Sequence, residues 1–241
     1  DGLVVPDVIP SGIVAVTVKN SGQTPHGPIL ARLREGVTME QFQETFSQSP
    51  DAVVPLVSLL GGTNVAPGES QKVLYDFEVG DHIAVDFGAG APGEAPPTLV
   101  AFAVSEERET AKAKPPASDV NVDLLDFAFA MPVEIPSGSN TWKIENQGEQ
   151  WHEMAILKLA DGATVDDVMA MMGSEEPPQG PPPFEEVAFL APVSEGERTW
   201  ITLDLEPGVY TVLCFLPDLG SETMTSHLEH GMMHTLTVTE S

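Results

Sequence analysis

The chain has 241 residues, of which 37 are Asp or Glu and 10 are Lys or Arg, so its formal net charge is -27. This charge repels phosphate backbones and anionic membrane surfaces, so we expect no nucleic-acid partner. It is typical of a protein that stays dissolved at high salt or that binds cationic partners. No run of 18 apolar residues occurs, which predicts no membrane span. The length predicts two domains of about 120 residues each.

A repeat with a long period runs through the chain. Residues 20–38 and 146–164 share six identities in nineteen positions at one fixed offset, among them His26 and His152. Because solenoid repeats have periods of roughly 20–50 residues, this period predicts two tandem globular domains.

Each copy contains one predicted short helix, at 38–46 in the first copy and at 164–172 in the second. Thr38 and Thr164 can each cap the first turn, and acidic residues follow them near the positive end of the helix. The proline-rich segment 177–183 after the second helix is predicted to be a loop.

The boundary between the copies is predicted near residue 113. Residues 106–118 are polar, contain three of the ten basic residues and include a Pro-Pro pair, as in a semi-rigid linker. The predicted domains are therefore 1–112 and 113–241.

The remaining signals are of strand type. Residues 201–205 alternate between apolar and polar side chains, and 209–215 are rich in β-branched and aromatic residues between Pro-Gly and Pro-Asp turns. Several short strands separated by Gly/Pro turns predict an all-β fold built of β-sandwiches.

Cys214, the only cysteine, ends the last of these strand-like segments. The pattern Cys-x12-His-x4-Met follows from it through His227 and Met232, and His152 is a candidate second histidine upstream. One thiolate, two imidazoles and a weak thioether suit a metal that cycles between Cu(I) and Cu(II). His230 is an alternative to His227, and a buried core cysteine is the alternative to a ligand.

The second copy resembles the cupredoxins, the family of blue copper proteins. The motifs that carry this resemblance are Asn-x-Gly-x3-His at 146–152, Glu-Pro-Gly at 206–208, and the Cys, His and Met residues that follow. The resemblance implies tandem Greek-key β-sandwiches, each with a short helix insertion, and one copper in the second domain. His152, Cys214, His227 and Met232 would be its ligands.

In the first copy, His26 matches His152, but Asp86 stands at the cysteine position. A lone histidine cannot hold copper in this manner, so we expect the first domain to be a degenerate copy without metal. It would act as a scaffold or a docking module.

The resemblance implies an exported electron carrier, which exchanges single electrons with a redox partner protein. We expect this partner to be cationic because the chain is strongly acidic. Export is expected because the chain opens at Asp1, as after removal of a leader; a periplasmic, cell-surface or extracellular location follows. No His-x-His pair occurs, as a second copper centre between the domains would require, so we expect no enzyme activity. The alternative is a metal-free structural or adhesive module that self-associates in a cell-surface assembly. Copper storage or delivery is a third possibility.

Overall fold

The computed structural model describes residues 2–88, 97–106, 114–174 and 180–240, without the side chains of residues 50 and 51. The strands of the first half are β1 (Val8–Pro10), β2 (Gly12–Lys19), β3 (Ile29–Leu33), β4 (Val57–Gly62), β5 (Ser70–Phe77), β6 (Gly80–Asp86) and β7 (Thr98–Ser105). Those of the second half are β8 (Val120–Leu125), β9 (Ala128–Ala130), β10 (Glu134–Pro136), β11 (Gly138–Asn146), β12 (His152–Leu159), β13 (Phe184–Val193), β14 (Arg198–Leu205), β15 (Gly208–Leu213) and β16 (Met233–Thr239).

The two short helices lie where the sequence predicts them. Helix α1 (Met39–Gln48) begins after Thr38, whose hydroxyl accepts a hydrogen bond from the Gln41 amide. Helix α2 (Val165–Met172) begins after Thr164, which forms a reciprocal capping box with Asp167. The all-β prediction with one helix in each half is confirmed. A 3-10 helix at Pro50–Leu56 was not predicted, and its opening proline favours the helical φ angle there.

The strands form two sheets, and both halves contribute to each sheet. The larger has ten strands in the order β1-β7-β6-β3-β4-β13-β12-β15-β16-β10, and the smaller has six in the order β2-β5-β14-β11-β8-β9. The halves therefore meet by antiparallel pairing of β4 with β13 and of β5 with β14. The predicted boundary at residue 113 lies outside the described residues, and the division into two domains stays a prediction.

The halves pack with the geometry of a two-fold axis. Strands β5 and β14 are equivalent in the repeat, and they pair with each other so that Val73 lies opposite its own counterpart, Ile201. Strands β4 and β13 are also equivalent and also pair with each other. An interface in which one surface meets its own equivalent is isologous, as in a symmetric dimer.

The repeat extends to single hydrogen bonds. The Asn20 side-chain amide donates to the carbonyls of Thr24 and Val65, and its oxygen accepts from the Gly22 amide. The Asn146 side chain makes the same three bonds with Gln150, Val193 and Gly148. Both asparagines are buried, at 4% and 0% exposure, so each turn before a histidine is built in the same way.

One apolar core runs between the sheets through both halves. Its fully buried members include Val73 and Tyr75 from the first half and Trp142 and Ile144 from the second. Cys214 and Met232 belong to the same cluster, at the end of the larger sheet. No helix in the described ranges has the length and apolar composition needed to cross a bilayer.

Candidate metal centre

Three neighbouring strands bring the predicted site residues to one end of the larger sheet. His152 is the first residue of β12, and Cys214 directly follows β15, which pairs antiparallel with β12. Strand β16 pairs with β15 on its other side, so Met232 lies opposite Cys214 at the point where the two strands part. His227 lies on the loop that joins β15 to β16.

Three donor atoms converge at this end. The Nδ1 atoms of His152 and His227 are 3.1 Å apart, and the Cys214 Sγ lies 3.4 Å from the His227 Nδ1. All three donors lie within 4.8 Å of one another, and all three residues have 0% exposure. A thiol and two ring nitrogens thus face one small buried space.

Met232 is also fully buried and shares the core cluster with Cys214. Its backbone N–H donates to the His227 carbonyl at 2.8 Å, and its carbonyl accepts from the Cys214 N–H at 3.4 Å. The backbone of this methionine therefore ties together the two residues that supply the thiol and one imidazole.

The loop between β15 and β16 is held by hydrogen bonds within itself and to β12. The His227 N–H donates to the Leu216 carbonyl at 2.7 Å, and the Phe215 N–H donates to the Glu153 carboxyl group at 3.1 Å. A donor set that is fixed before a metal enters requires little rearrangement when the metal binds.

His230, the alternative to His227, lies outside the group of three donors. Its Nε2 is 3.3 Å from the Asp218 carboxylate, and its ring centroid is 4.5 Å from that of Phe127. It is 35% exposed, whereas His227 is fully buried. The geometry therefore favours His227 as the second imidazole donor.

A carboxylate orients the first imidazole. Asp126 Oδ1 lies 3.0 Å from the His152 Nε2, which leaves Nδ1 directed at the other donors. Asp126 also accepts hydrogen bonds from the amides of Glu149 and Gln150. Burial raises the pKa of its carboxyl group, but the hydrogen bond with His152 and these two amide bonds together hold that pKa below its usual value. A carboxylate on the far nitrogen fixes the orientation of a metal-binding histidine and increases its basicity.

Gln150 orients the second imidazole in a weaker way. Its Oε1 lies 3.3 Å from the His227 Nε2 and accepts from the Leu219 amide, while its Nε2 donates to Asp218. Asp126 and Gln150 were not predicted as site residues. Gly148 was quoted only as part of a motif, yet a Cβ there would lie 2.5 Å from Asp126 and 2.8 Å from the His152 ring. Gly148 was therefore the one signal in the sequence for this contact, because only a glycine fits where Asp126 and His152 come so close.

Phe127 closes the site from the turn between β8 and β9. Its φ of 64° is in the left-handed region, which bulky residues rarely adopt. Its ring meets that of His227 edge to face, with centroids 5.1 Å apart. Unfavourable backbone geometry of this kind clusters at functional sites because the surrounding contacts hold it in place.

The electrostatics of the site keep its donors neutral when no metal is bound. Burial, with a smaller contribution from the nearby His152, lowers the pKa of His227 to about 4. Burial also lowers the pKa of His152 and raises that of the Cys214 thiol to about 12. Neutral imidazoles are ready to bind a metal, whereas the thiol must lose its proton on binding.

The first half has a different arrangement at the equivalent place. His26 Nδ1 lies 2.7 Å from the Asp86 carboxylate at the end of β6, the counterpart of β15. Asp86 occupies the structural position of Cys214, as the sequence alignment predicts. The first half therefore offers an imidazole and a carboxylate at this place, whereas the second half offers a thiol and two imidazoles.

No family model matches the chain, and no curated protein matches it. Among solved structures, auracyanin B is 23% identical over 52% of this chain and 93% of its own, with a TM-score of 0.35. The auracyanin of the photosynthetic bacterium Roseiflexus castenholzii is 20% identical over 49% and 94%, with a TM-score of 0.34. A blue copper oxidase from Nitrosomonas europaea is 13% identical over 97% and 75%, with a TM-score of 0.27. In its all-β fold and in the order of its site residues, the chain resembles the cupredoxins.

Proposed function

We propose that the chain is a copper-binding electron carrier that holds one copper in its second half. His152 and His227 would supply two imidazole ligands, Cys214 the thiolate and Met232 a weak axial thioether. The observation that carries this proposal is the convergence of two Nδ1 atoms and one Sγ atom within 4.8 Å in a fully buried space.

The residues present fit copper better than they fit a hard cation. One thiolate with two imidazoles and a buried thioether is a soft donor set, and a hard cation such as Mg²⁺ or Ca²⁺ prefers oxygen donors. Bound copper would supply reversible exchange of one electron. The chain's own residues would exclude water and keep the ligand positions fixed, which lowers the rearrangement that accompanies electron transfer.

The partner is proposed to be a redox protein with a cationic surface. The formal charge of -27 supports this, because it would accelerate encounter with a cationic protein at low salt and lose that effect as salt increases. An exported location is proposed with it. We propose no catalytic activity, because the sequence has no His-x-His pair of the kind that a second copper centre between the halves would require.

The first test is the addition of one equivalent of Cu(II), followed by visible and electron paramagnetic resonance spectra. The proposal requires an intense charge-transfer band near roughly 600 nm and narrow hyperfine splitting, as expected for a Cu–thiolate bond. Cys214→Ser should abolish the band while circular dichroism stays unchanged. His230→Ala is the matched control and should keep the band, because His230 lies outside the donor group.

The competing function is the metal-free structural or adhesive module. It would be favoured by a chain that assembles with increasing concentration and loses any added copper to a mild chelator. A reversible one-electron couple in cyclic voltammetry, with a monomeric chain, would favour the electron carrier. Binding of more than one Cu(I) for each chain would instead indicate storage or delivery.

A further inference from the structure

The residues proposed as ligands are sealed from the surface. His152, Cys214, His227 and Met232 all have 0% exposure. The ring nitrogen of His227 that faces away from the other donors, Nε2, lies against the Gln150 side chain rather than in solvent. An electron that enters or leaves this site must therefore cross at least one further group of the protein.

Two aromatic rings connect His227 to the surface. The Phe127 ring meets the His227 ring edge to face, with centroids 5.1 Å apart, and its centroid is 4.5 Å from that of the His230 ring. Phe127 is half-buried, and the His230 side chain is 35% exposed. The three rings form a continuous series of contacts from a proposed ligand to the surface.

Other neighbours of the site offer poorer routes. Electron transfer slows with each gap that the electron must cross, and delocalised ring orbitals shorten these gaps. The Gln150 amide and the Asp126 carboxylate contact the histidine rings but contain no ring of their own. Trp151 adjoins a proposed ligand in the chain, but its side chain packs against a cluster of first-half residues. The rings of Phe127 and His230 are therefore the better route outward.

The backbone of Phe127 keeps its ring on this route. Its φ of 64° lies in the left-handed region, which is unfavourable for a bulky residue. Such a conformation persists only where the surrounding structure holds it. The contacts with His227 and His230 are thus a fixed feature of the turn between β8 and β9.

Acidic side chains surround the exposed end of the route. The Asp218 carboxylate lies 3.3 Å from the His230 Nε2, and Glu229, which precedes His230, is exposed. Asp126 precedes Phe127, and its side chain is 36% exposed. Negative groups around a central contact favour a partner with a positive surface.

We propose that Phe127 and His230 form the surface at which a cationic redox partner docks and through which the electron crosses. This inference rests on the proposed function. Lysine or arginine side chains of the partner would pair with Asp218 and Glu229 around the two rings. One electron passes between the site and the partner, so that one is oxidised as the other is reduced, and no proton or covalent bond is transferred.

The probe for electron transfer is tris(phenanthroline)cobalt(III), a cationic one-electron oxidant, mixed with the reduced, copper-loaded chain. Recovery of the charge-transfer band gives the second-order rate constant. We expect this constant to fall by about tenfold in His230→Ala and in Phe127→Leu, as when a central interface contact is removed. Leucine meets the same backbone constraint as phenylalanine at this φ, so the turn should keep its shape.

Two controls make the same changes elsewhere. His234→Ala removes a histidine whose Nε2 contacts the Pro132 carbonyl, and Phe87→Leu removes an exposed ring of the first half. Both should leave the rate constant unchanged. Cyclic voltammetry of each variant gives its reduction potential, which separates a change in driving force from a change in the route.

Docking is tested without copper by adding hexaamminechromium(III), a paramagnetic cation, to the metal-free chain. The NMR signals of the His230 ring should broaden at lower concentrations than those of His234, because Asp218 and Glu229 would hold the cation near His230. Glu229→Gln should reduce this broadening. Glu240→Gln removes the same charge from an exposed position beyond the far end of β16, and it should not.

The outcomes separate this inference from the proposed function. If His230→Ala and Phe127→Leu keep the band and react as fast as the unmodified chain, the inference is overturned and the electron carrier stands. Broadening of the His234 signals before those of His230 would also overturn it. Absence of the band in the unmodified chain would overturn the proposed function, and the inference with it.

Discussion

The Nδ1 atom of His26 lies 2.7 Å from the Asp86 carboxylate, at the place where the second half holds His152 near Cys214. The His26 side chain is 33% exposed and that of Asp86 is 11% exposed. The first half thus keeps the histidine of the repeat, and a carboxyl group in contact with that histidine takes the position of the thiol.

Replacing Asp86 by Asn should not change the copper content, which we expect to stay at one per chain. The free energy of unfolding should fall by no more than about 1 kcal/mol, because a partly exposed contact between a histidine and a carboxyl group contributes little even when both are charged. Copper quantification and urea unfolding would measure both effects. A loss of copper in this variant would mean that the first half takes part in the site.

The two buried asparagines, Asn20 and Asn146, allow the same substitution to be compared in the two halves. Asn146→Ala and Asn20→Ala each remove three hydrogen bonds in equivalent turns, so each should cost about 1–3 kcal/mol of unfolding free energy. Only Asn146→Ala should alter the copper spectrum, since only its turn positions a ligand. Equal spectra in both variants would contradict the assignment of His152.

The Cys-x12-His-x4-Met pattern and the resemblance to the cupredoxins were sufficient to predict the three donors that lie together, His152, Cys214 and His227. They were not sufficient for Asp126, which is far from His152 along the chain and lies in a turn that no motif marks. The sharing of both sheets between the halves was also missed. Strands β4 and β13 have ordinary apolar sequences, and nothing in such a pattern says which edges will pair.

Removing the carboxylate behind His152 should weaken metal binding without abolishing it. In Asp126→Asn the His152 ring loses a charged acceptor at Nε2, so we expect copper affinity to fall by about 10- to 100-fold. Competition with a chelator of known affinity would measure the change. Asp161→Asn, on an exposed turn, is the control with the same loss of charge. Unchanged affinity in Asp126→Asn would contradict an orienting role.

The metal-free chain should lose stability in acid through His227. Burial lowers the pKa of His227 from 6.5 to about 4, so the unfolded chain binds a proton between these values that the folded chain does not. The free energy of unfolding therefore falls as pH decreases from about 6.5 to about 4, by at most about 1.4 kcal/mol for each pH unit. Urea unfolding of the metal-free chain across this range would measure the slope.

The buried Glu153 carboxyl group has the opposite effect on how the free energy of unfolding depends on pH. Burial raises the pKa of its carboxyl group from 4.5 to about 7, so the folded chain keeps a proton that the unfolded chain has released. Its contribution to stability is present below pH 4.5 and is lost as pH rises towards 7. Glu153→Gln removes this term, and stability between about pH 4.5 and 6.5 should then rise more steeply with pH than in the unmodified chain. An unchanged slope would contradict the assigned shift.

The last prediction concerns the junction between the halves. Glu197 of the second half accepts hydrogen bonds from Ser58 at 2.8 Å and from Arg32 at 3.2 Å, both in the first half, and its side chain is only 13% exposed. Glu197→Ala leaves both donors without this partner and should cost about 1–3 kcal/mol of unfolding free energy. Glu195→Ala, an exposed neighbour, is the control and should cost far less.

Because both sheets and the main core continue through the junction, the weakened chain should still unfold in one cooperative transition. All three tryptophans lie in the second half, and Trp151 packs against a cluster of first-half residues. Their fluorescence therefore reports on the second half and on its contact with the first, whereas circular dichroism reports on the backbone of both. Coincident transitions by the two probes are expected in Glu197→Ala as in the unmodified chain. Separate transitions would show that the halves unfold independently and that the shared sheets do not couple them.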